Sequence, residues 1–256
     1  MGIFKKIRVE WRGIMIEINK VSKTYAKGKT KALNDISINV KNGEIFGFLG
    51  PNGAGKTTTI KLVTGILKPD SGEIKVNNID IVKEPVKAKK SIGFVPDNPE
   101  LFNRLKGMEY LNFIADVYEV SNEERYKSIN ELGKVFEIKD VLSSSISSYS
   151  HGMKQKLVII GALLHNPSVW VLDEPMVGLD PKAAFILKDM MRKHADAGKT
   201  VFFSTHIMEV AEKLCDRIGI IKKGEIIFTG TIDELRGLRK EKGDSLENLF
   251  LELIEE

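Results

Sequence analysis

The most informative segment of the chain is Gly50-Pro51-Asn52-Gly53-Ala54-Gly55-Lys56-Thr57-Thr58. It matches the pattern G-x-x-x-x-G-K-[ST], which is typical of a loop that surrounds phosphate oxygens with backbone N–H groups. An apolar strand pattern precedes it at 45–49, and a helical pattern follows at 57–67, before Lys68-Pro69. A phosphate loop requires this strand–loop–helix order. The alternative, a glycine-rich turn that only caps a helix, does not explain the lysine.

Each part of this loop has a chemical reason. Gly50, Gly53 and Gly55 are predicted to adopt positive φ, so that the loop turns its N–H groups inward. The helix dipole contributes only about 0.3–1 kcal/mol, which is too little to hold a nucleotide. Lys56 therefore supplies a full positive charge for the β- and γ-phosphates, and the Thr57 hydroxyl is a candidate ligand for Mg²⁺.

A second candidate site follows the apolar strand at 169–172, where the chain continues with Asp173 and Glu174. Parallel sheets place their ligands at the carboxyl ends of the strands. We expect Asp173 to bind Mg²⁺ and Glu174 to orient and deprotonate an attacking water, a role that typically gives ~10²–10⁴-fold in rate. The alternative is a pair of solvated acids at the end of a strand, and the neighbouring phosphate loop disfavours it.

The pattern of elements predicts an α/β fold. After residue 150, strand and helix patterns alternate, which indicates a mostly parallel sheet with helices on its faces. Short strand patterns separated by turns occupy much of the first hundred residues, and helical patterns dominate roughly Asn98–Leu142. We therefore expect a P-loop core that is interrupted by a helical insertion.

Composition excludes several classes of protein. The 256 residues carry 39 basic and 35 acidic side chains, and much of the excess lies in residues 1–13, a segment interpreted as an upstream extension or a basic arm. The nearly neutral remainder argues against nucleic acid as a partner. Cys215 is the only cysteine, so an internal disulfide is impossible. The longest apolar run, 157–164, is far shorter than the ~20 residues of a membrane span.

Five further motifs follow the phosphate loop in order. They are Ile92-Gly93-Phe94-Val95-Pro96-Asp97, Tyr149-Ser150-His151-Gly152-Met153-Lys154-Gln155, Asp173-Glu174, Gly178-Leu179-Asp180 and Ser204-Thr205-His206. From about Met15 onward, this order resembles the nucleotide-binding subunit of an ATP-binding-cassette (ABC) transporter. The resemblance implies an ABC ATPase domain over 14–238, with an antiparallel β subdomain and a helical subdomain inserted at about 98–165.

The resemblance also implies roles for single residues, with ATP and Mg²⁺ as the bound species. Tyr25 would stack on adenine, and His206 would contact the γ-phosphate and sense its loss. Asp97 would lie beside the metal with Thr57 and Asp173, although the family usually has glutamine at that position. Pro51, Asn52, Ala54 and Thr58 would complete the phosphate loop.

Ser150 adds a physical argument for a dimer. It is a good N-cap for a helix that begins near Gly152, so the chain has a second helix start that attracts anions. The first one already holds a nucleotide. The second is most simply explained if Ser150 and Gly152 contact the nucleotide of another subunit, in a homodimer or a heterodimer with two composite sites.

Four residues differ from the usual family pattern, and together they indicate one branch of the family. The signature is usually Leu-Ser-Gly-Gly-Gln, whereas Tyr149, His151 and Met153 replace its first, third and fifth residues. With Asp97, these differences resemble the branch that energises ABC-2-type exporters. That branch implies a separate integral membrane permease and a peripheral position on the cytoplasmic face of the membrane. The amphipathic helix in 239–256 is also similar to that branch, or it simply docks on its own domain.

Two other classes remain as alternatives. A soluble ABC ATPase acting on nucleic acid or ribosomes usually has two cassettes, long coiled coils or zinc clusters, and this sequence has none of these. A P-loop kinase or GTPase is the second alternative. The only Asn-Lys pair, Asn19-Lys20, is followed by Val21-Ser22, so the guanine-reading Asn-Lys-x-Asp motif is absent.

Overall fold

The computed structural model describes residues 13–25, 30–238 and 245–255. The predicted basic arm, apart from Gly13, lies outside the described residues. The strands in the described part are β1 (Ile14–Tyr25), β2 (Thr30–Lys41), β3 (Ile45–Leu49), β4 (Ser71–Val76), β5 (Ile79–Asp80), β6 (Ile92–Val95), β7 (Val169–Leu172), β8 (Thr200–Thr205), β9 (Arg217–Lys222) and β10 (Glu225–Gly230).

Helices connect these strands and cover the sheets. In the described part they are α1 (Lys56–Val63), α2 (Pro85–Lys89), α3 (Gly107–Val117), α4 (Asn122–Val135), α5 (His151–Leu163), α6 (Pro181–Asp196), α7 (Met208–Leu214), α8 (Ile232–Gly237) and α9 (Leu246–Glu255). Between β6 and β7 the chain forms α3, α4 and α5 and no strand, as the helical patterns predicted.

The strands form two sheets, and together these confirm the predicted α/β fold with a mostly parallel sheet and a separate antiparallel sheet. The larger sheet has the order β10-β9-β3-β8-β7-β6, in which only β10 runs antiparallel to its neighbour. Its central strands β3, β7 and β8 are buried on both faces, which explains the unbroken apolar sequences of β3 and β7 and the apolar residues 201–203 in β8. The smaller sheet is antiparallel and has the order β2-β1-β4-β5.

The register of the larger sheet brings the motifs together. Leu49 at the end of β3 pairs with Thr205 at the end of β8, and Leu172 at the end of β7 pairs with Phe203. The loops that leave these three strands therefore start at the same edge of the sheet. They carry the phosphate loop, the Asp173-Glu174 pair and His206.

Helix α1 is shorter than its sequence pattern predicts, because it ends at Val63 instead of residue 67. Gly65 has a φ of 65°, a left-handed conformation that ends a helix. The N–H of Ile66 then donates to the carbonyl oxygen of Lys61 at 2.8 Å, which closes the helix end. The glycine, rather than Pro69, is the stop signal.

The C-terminal helix α9 packs against its own chain. Leu246, Leu249 and Phe250 are buried in one apolar cluster with residues of α7, α8 and β9, including Ile218 and Leu235. Of the two interpretations of this segment, the described residues support docking on its own domain. No helix among the described residues has both the length and the apolar character that spanning a membrane requires.

Candidate active site

The phosphate loop has the shape that its glycines predict, with one correction. Gly53 and Gly55 have φ values of 79° and 116°, so both use the freedom that only glycine has. Gly50 does not adopt positive φ. Its reason is steric: a Cβ at this position would collide with the backbone carbonyl oxygen and the side chain of Ile221.

Lys56 is the first residue of α1, and its side chain is buried. Its Nζ donates to the carbonyl oxygen of Gly50 at 2.7 Å and to that of Pro51 at 3.3 Å. The same Nζ lies 3.4 Å from Oε1 of Glu174. One buried cation therefore joins the phosphate loop to the predicted general base.

Asp173 follows β7 and is almost completely buried. Burial raises the pKa of its carboxyl group, whereas the hydroxyls of Ser204 and Thr57 act in the opposite direction, because they stabilise the charged form. The negative charges of Asp97 and Glu174 raise this pKa further. Asp173 thus lies in a cluster of like charges that a cation would neutralise.

Glu174 has a φ of 45°, which is unusual for a residue with a side chain. This turn directs the carboxylate toward two positively charged or titratable groups. Its Oε2 lies 3.1 Å from Nδ1 of His206, and its Oε1 faces Lys56. Only 14% of the Glu174 side chain is exposed. A left-handed conformation at a buried carboxylate is typical of a functional site.

A cleft of about 270 Å³ lies over these residues. It is lined by Ala32, Pro51, Asn52, Gly53, Gly55, Lys56, Thr57, Thr58, Asp97 and Glu174. Most predicted residues of the loop therefore share one concave surface with Glu174 and Asp97. Asp173 does not line this cleft but lies next to it, because it precedes Glu174 and is hydrogen-bonded to Thr57. Ala32, from β2 of the smaller sheet, is a lining residue that was not predicted from the sequence.

Several predicted residues lie elsewhere. Ala54 is buried beneath the phosphate loop. Tyr25 ends β1, is 39% exposed and does not line the cleft. Ser150 and Gly152 also lie outside it.

Ser150 caps α5 as predicted. Its Oγ accepts a hydrogen bond from the N–H of Met153 at 3.2 Å, and the residue is exposed. The start of α5 also touches the loop of Gly178, because a Cβ at Gly152 would lie 2.8 Å from the Gly178 carbonyl oxygen. A salt bridge of 2.9 Å between Lys156 and Asp180 adds a second connection to the same loop.

The residues at the cleft fit Mg²⁺. Asp173 and Thr57 provide oxygen atoms, which Mg²⁺ prefers, and Mg²⁺ in nucleotide sites commonly uses one or two carboxylates with substrate phosphates. Within the described ranges, no group of three or more His, Cys, Asp or Glu side chains could hold a metal alone.

Sequence and structure comparisons identify relatives. The profile of the ABC transporter family matches residues 33–177, more than half of the chain. The linearmycin resistance ATP-binding protein LnrL of Bacillus subtilis (strain 168) is 39% identical over 221 residues, covering 86% of this chain and 70% of LnrL.

Two solved structures are similar over most of the chain. An ATP-binding subunit of an ABC transporter has a TM-score of 0.88 and 33% identity, and the match covers 93% of this chain and 99% of that one. The ATP-binding cassette MJ0796, as a post-hydrolysis dimer with ADP and Pi, has a TM-score of 0.78 and 30% identity, over 85% and 99% of the two chains. This chain belongs to the ABC transporter family and is an ATP-binding subunit with the ATPase fold.

Proposed function

We propose that Mg·ATP binds in the cleft above the phosphate loop, that Glu174 is the general base of hydrolysis, and that two subunits share two such sites. The observation that carries the proposal is the convergence of Lys56 and Glu174 at one cleft, with Asp173 directly before Glu174 and His206 on Glu174. These side chains come from three different strand ends. A glycine-rich turn without a function gives no reason for this convergence.

The geometry accounts for how the chain's own residues act. Lys56 contacts Glu174 and two loop carbonyls, so an incoming triphosphate competes for its charge. Once Lys56 turns to the β- and γ-phosphates, Oε1 of Glu174 is free to accept a proton from water. His206 holds Oε2 and so fixes the direction of the carboxylate. Mg²⁺, held by Asp173 and Thr57 with Asp97 nearby, neutralises negative charge on the phosphates when bound.

The dimer is supported by the position of Ser150. This cap of a helix start is exposed and does not line the cleft of its own chain. An exposed helix start with free N–H groups suits an anion. We therefore place Ser150 and Gly152 on the γ-phosphate bound by another subunit. Tyr25, at the end of β1, covers the adenine in this proposal.

Glu174→Gln tests the proposed chemistry. The amide keeps the shape of the side chain but cannot accept the proton, so we expect ATP hydrolysis to fall by ~10²–10⁴-fold while ATP still binds. With ATP and Mg²⁺, this variant should elute as a dimer in size-exclusion chromatography, whereas the nucleotide-free variant should elute as a monomer. Hydrolysis at the parent rate would rule out Glu174 as the base.

A separate membrane permease is the proposed partner, and exposed aromatic groups before β7 support it. Phe102 and Phe113 are 64% and 49% exposed, and their rings meet edge to face with centroids 6.4 Å apart. Val117, one turn after Phe113 on α3, extends the same apolar surface. A cluster of this kind is typical of an interaction site.

The name of LnrL, a resistance protein, favours an exporter over an importer.

Membrane association tests this partner. We expect the protein to sediment with membranes of its source cells and to remain in the supernatant when Phe102 and Phe113 are both replaced by Ser. The ATPase rate of the isolated variant should stay at the parent value, since neither residue lines the cleft. Co-purification with ribosomes or nucleic acid, and no sedimentation with membranes, would favour the soluble ABC ATPase instead.

A further inference from the structure

Ser204 lies at the next-to-last position of β8 and is completely buried. Its hydroxyl makes two hydrogen bonds at once. It donates to Oδ1 of Asp173 at 2.6 Å, and it accepts from the backbone N–H of Glu174 at 2.9 Å. One side chain therefore contacts both residues of the acidic pair.

The conformation of Glu174 explains why its N–H needs this acceptor. The N–H of Asp173 still donates to the carbonyl oxygen of Val95, as in the ladder between β7 and β6. At Glu174 the chain leaves the extended conformation, with a φ of 45°, and its N–H points to Ser204 instead. An unpaired buried N–H is unfavourable, so the hydroxyl stabilises this turn.

The two bonds also fix the direction of the Ser204 hydroxyl. The hydroxyl oxygen accepts a hydrogen bond from the N–H of Glu174, and the single hydroxyl proton is donated to Oδ1 of Asp173. This leaves Oδ2 of Asp173 without a contact to Ser204. The hydroxyl thus fixes the orientation of the Asp173 carboxylate. It also fixes the backbone conformation at Glu174, from which the Glu174 side chain projects.

We propose that Ser204 is a positioning residue that locks the metal-binding carboxylate of Asp173 and the base Glu174 into one rigid unit. This inference rests on the roles proposed above for these two acids. Ser204 is completely buried and does not line the cleft, so it acts through its two partners. It belongs to the same strand end as His206, so β8 supports the acidic pair from two positions.

Ser204→Ala tests the proposal, because it removes both hydrogen bonds with little change of volume. Thr200→Val is the matched control: Thr200 is equally buried at the other end of β8, and its hydroxyl donates to the carbonyl oxygen of Lys41 at 3.0 Å. Both variants lose buried hydrogen bonding from the same strand. Only Ser204→Ala loses it at the site.

Two measurements separate positioning from stability. For Ser204→Ala, we expect kcat for ATP hydrolysis to fall by about 10-fold or more, with KM for ATP within about twofold of the parent, since loss of a supporting residue around a metal ligand typically costs 10–100-fold. Binding of a fluorescent ATP analogue should be unchanged in EDTA, and a higher Mg²⁺ concentration than for the parent should be needed to strengthen it. Thr200→Val should keep the parent kcat and the parent response to Mg²⁺.

The proposal is overturned if Ser204→Ala keeps kcat within twofold, or if Thr200→Val loses as much. If Ser204→Ala melts below the assay temperature, Ser204→Cys carries the same test, because a thiol fills the space but bonds weakly. Glu174→Gln distinguishes failure of the positioning role of Ser204 from failure of the proposed role of Glu174 as the base. If it stalls hydrolysis while Ser204→Ala does not, only the positioning role fails; if it hydrolyses normally, the proposed base fails.

Discussion

Lys56 and Glu174 form an ion pair in which the lysine is buried and the glutamate is half-buried. An isolated buried charge is very unfavourable, and each of these residues compensates the other across 3.4 Å. Lys56 also donates to two loop carbonyls, and Glu174 also contacts His206. In the proposed function, this arrangement holds the cation where the phosphates would bind and the carboxylate close to the attacking water.

Gly50 gives a prediction at the scale of one residue. In Gly50→Ala the new Cβ meets the backbone oxygen of Ile221, which cannot move without shifting β9, so the phosphate loop must shift instead. Overpacking of this kind costs about 1–3 kcal/mol in the free energy of unfolding. We also expect ATP affinity to fall about tenfold, because the shifted loop no longer directs its N–H groups at the phosphates; tenfold corresponds to about 1.4 kcal/mol of binding free energy.

Thermal melting and equilibrium binding of ATP measure these two effects. Gly237→Ala is the matched control, since a Cβ at Gly237, at the end of α8, meets nothing within 4 Å. The control should match the parent in both measurements. Parent-like ATP affinity in Gly50→Ala would contradict the steric role assigned to this glycine.

The same residue shows what the sequence can and cannot predict. The motif identified the loop, its glycines and Lys56, because the chemistry of phosphate binding restricts those residue types. It gave the wrong reason for Gly50, because a contact with Ile221 joins positions 171 residues apart and leaves no local signal. Ser204 belongs to the motif Ser204-Thr205-His206, in which only His206 was assigned a role from the sequence. Its buried hydrogen bonds to Asp173 and Glu174 depend on β7 and β8 being adjacent in the sheet. Ala32 was missed because an alanine in a strand has no distinguishing chemistry.

At the scale of elements, α4 and α5 begin in the same way but in different surroundings. Ser121 and Ser150 each accept a hydrogen bond from the backbone N–H three residues later, at 3.3 Å and 3.2 Å. The sequence predicted the cap at Ser150, because capping is a local interaction. What differs is the contact of the α5 start with the Gly178 loop, which follows the acidic pair.

Replacing each cap by alanine uses this difference. Ser121→Ala and Ser150→Ala should each lower the free energy of unfolding by about 1 kcal/mol, as loss of an N-cap usually does. Only Ser150→Ala should weaken the ATP-dependent dimer that Glu174→Gln forms, because only α5 is proposed to face a second nucleotide. Analytical ultracentrifugation of the two double variants with ATP and Mg²⁺ measures this. Equal dimerisation in both would contradict the assignment of Ser150.

At the scale of the whole molecule, β3, β7 and β8 concentrate the chemistry at one edge of the large sheet, and the other elements support that edge. Helix α7 follows His206 directly, and α9 packs on α7. The C-terminal helix therefore supports the element that leaves the active site. Its burial could not be read from the sequence, since an amphipathic pattern does not say which surface covers the apolar face.

Phe250→Ala tests this support. A buried phenylalanine replaced by alanine typically costs about 3–5 kcal/mol. A ten-residue helix is only marginally stable in isolation, so we expect α9 to detach while the sheets stay folded. Hydrogen–deuterium exchange should then show loss of protection in α9 and α7 and none in α1. Leu251→Ala is the control, because Leu251 is 44% exposed and should leave protection unchanged. Protection that persists in α9 of Phe250→Ala would mean that other contacts hold this helix, and that α7 does not depend on Phe250.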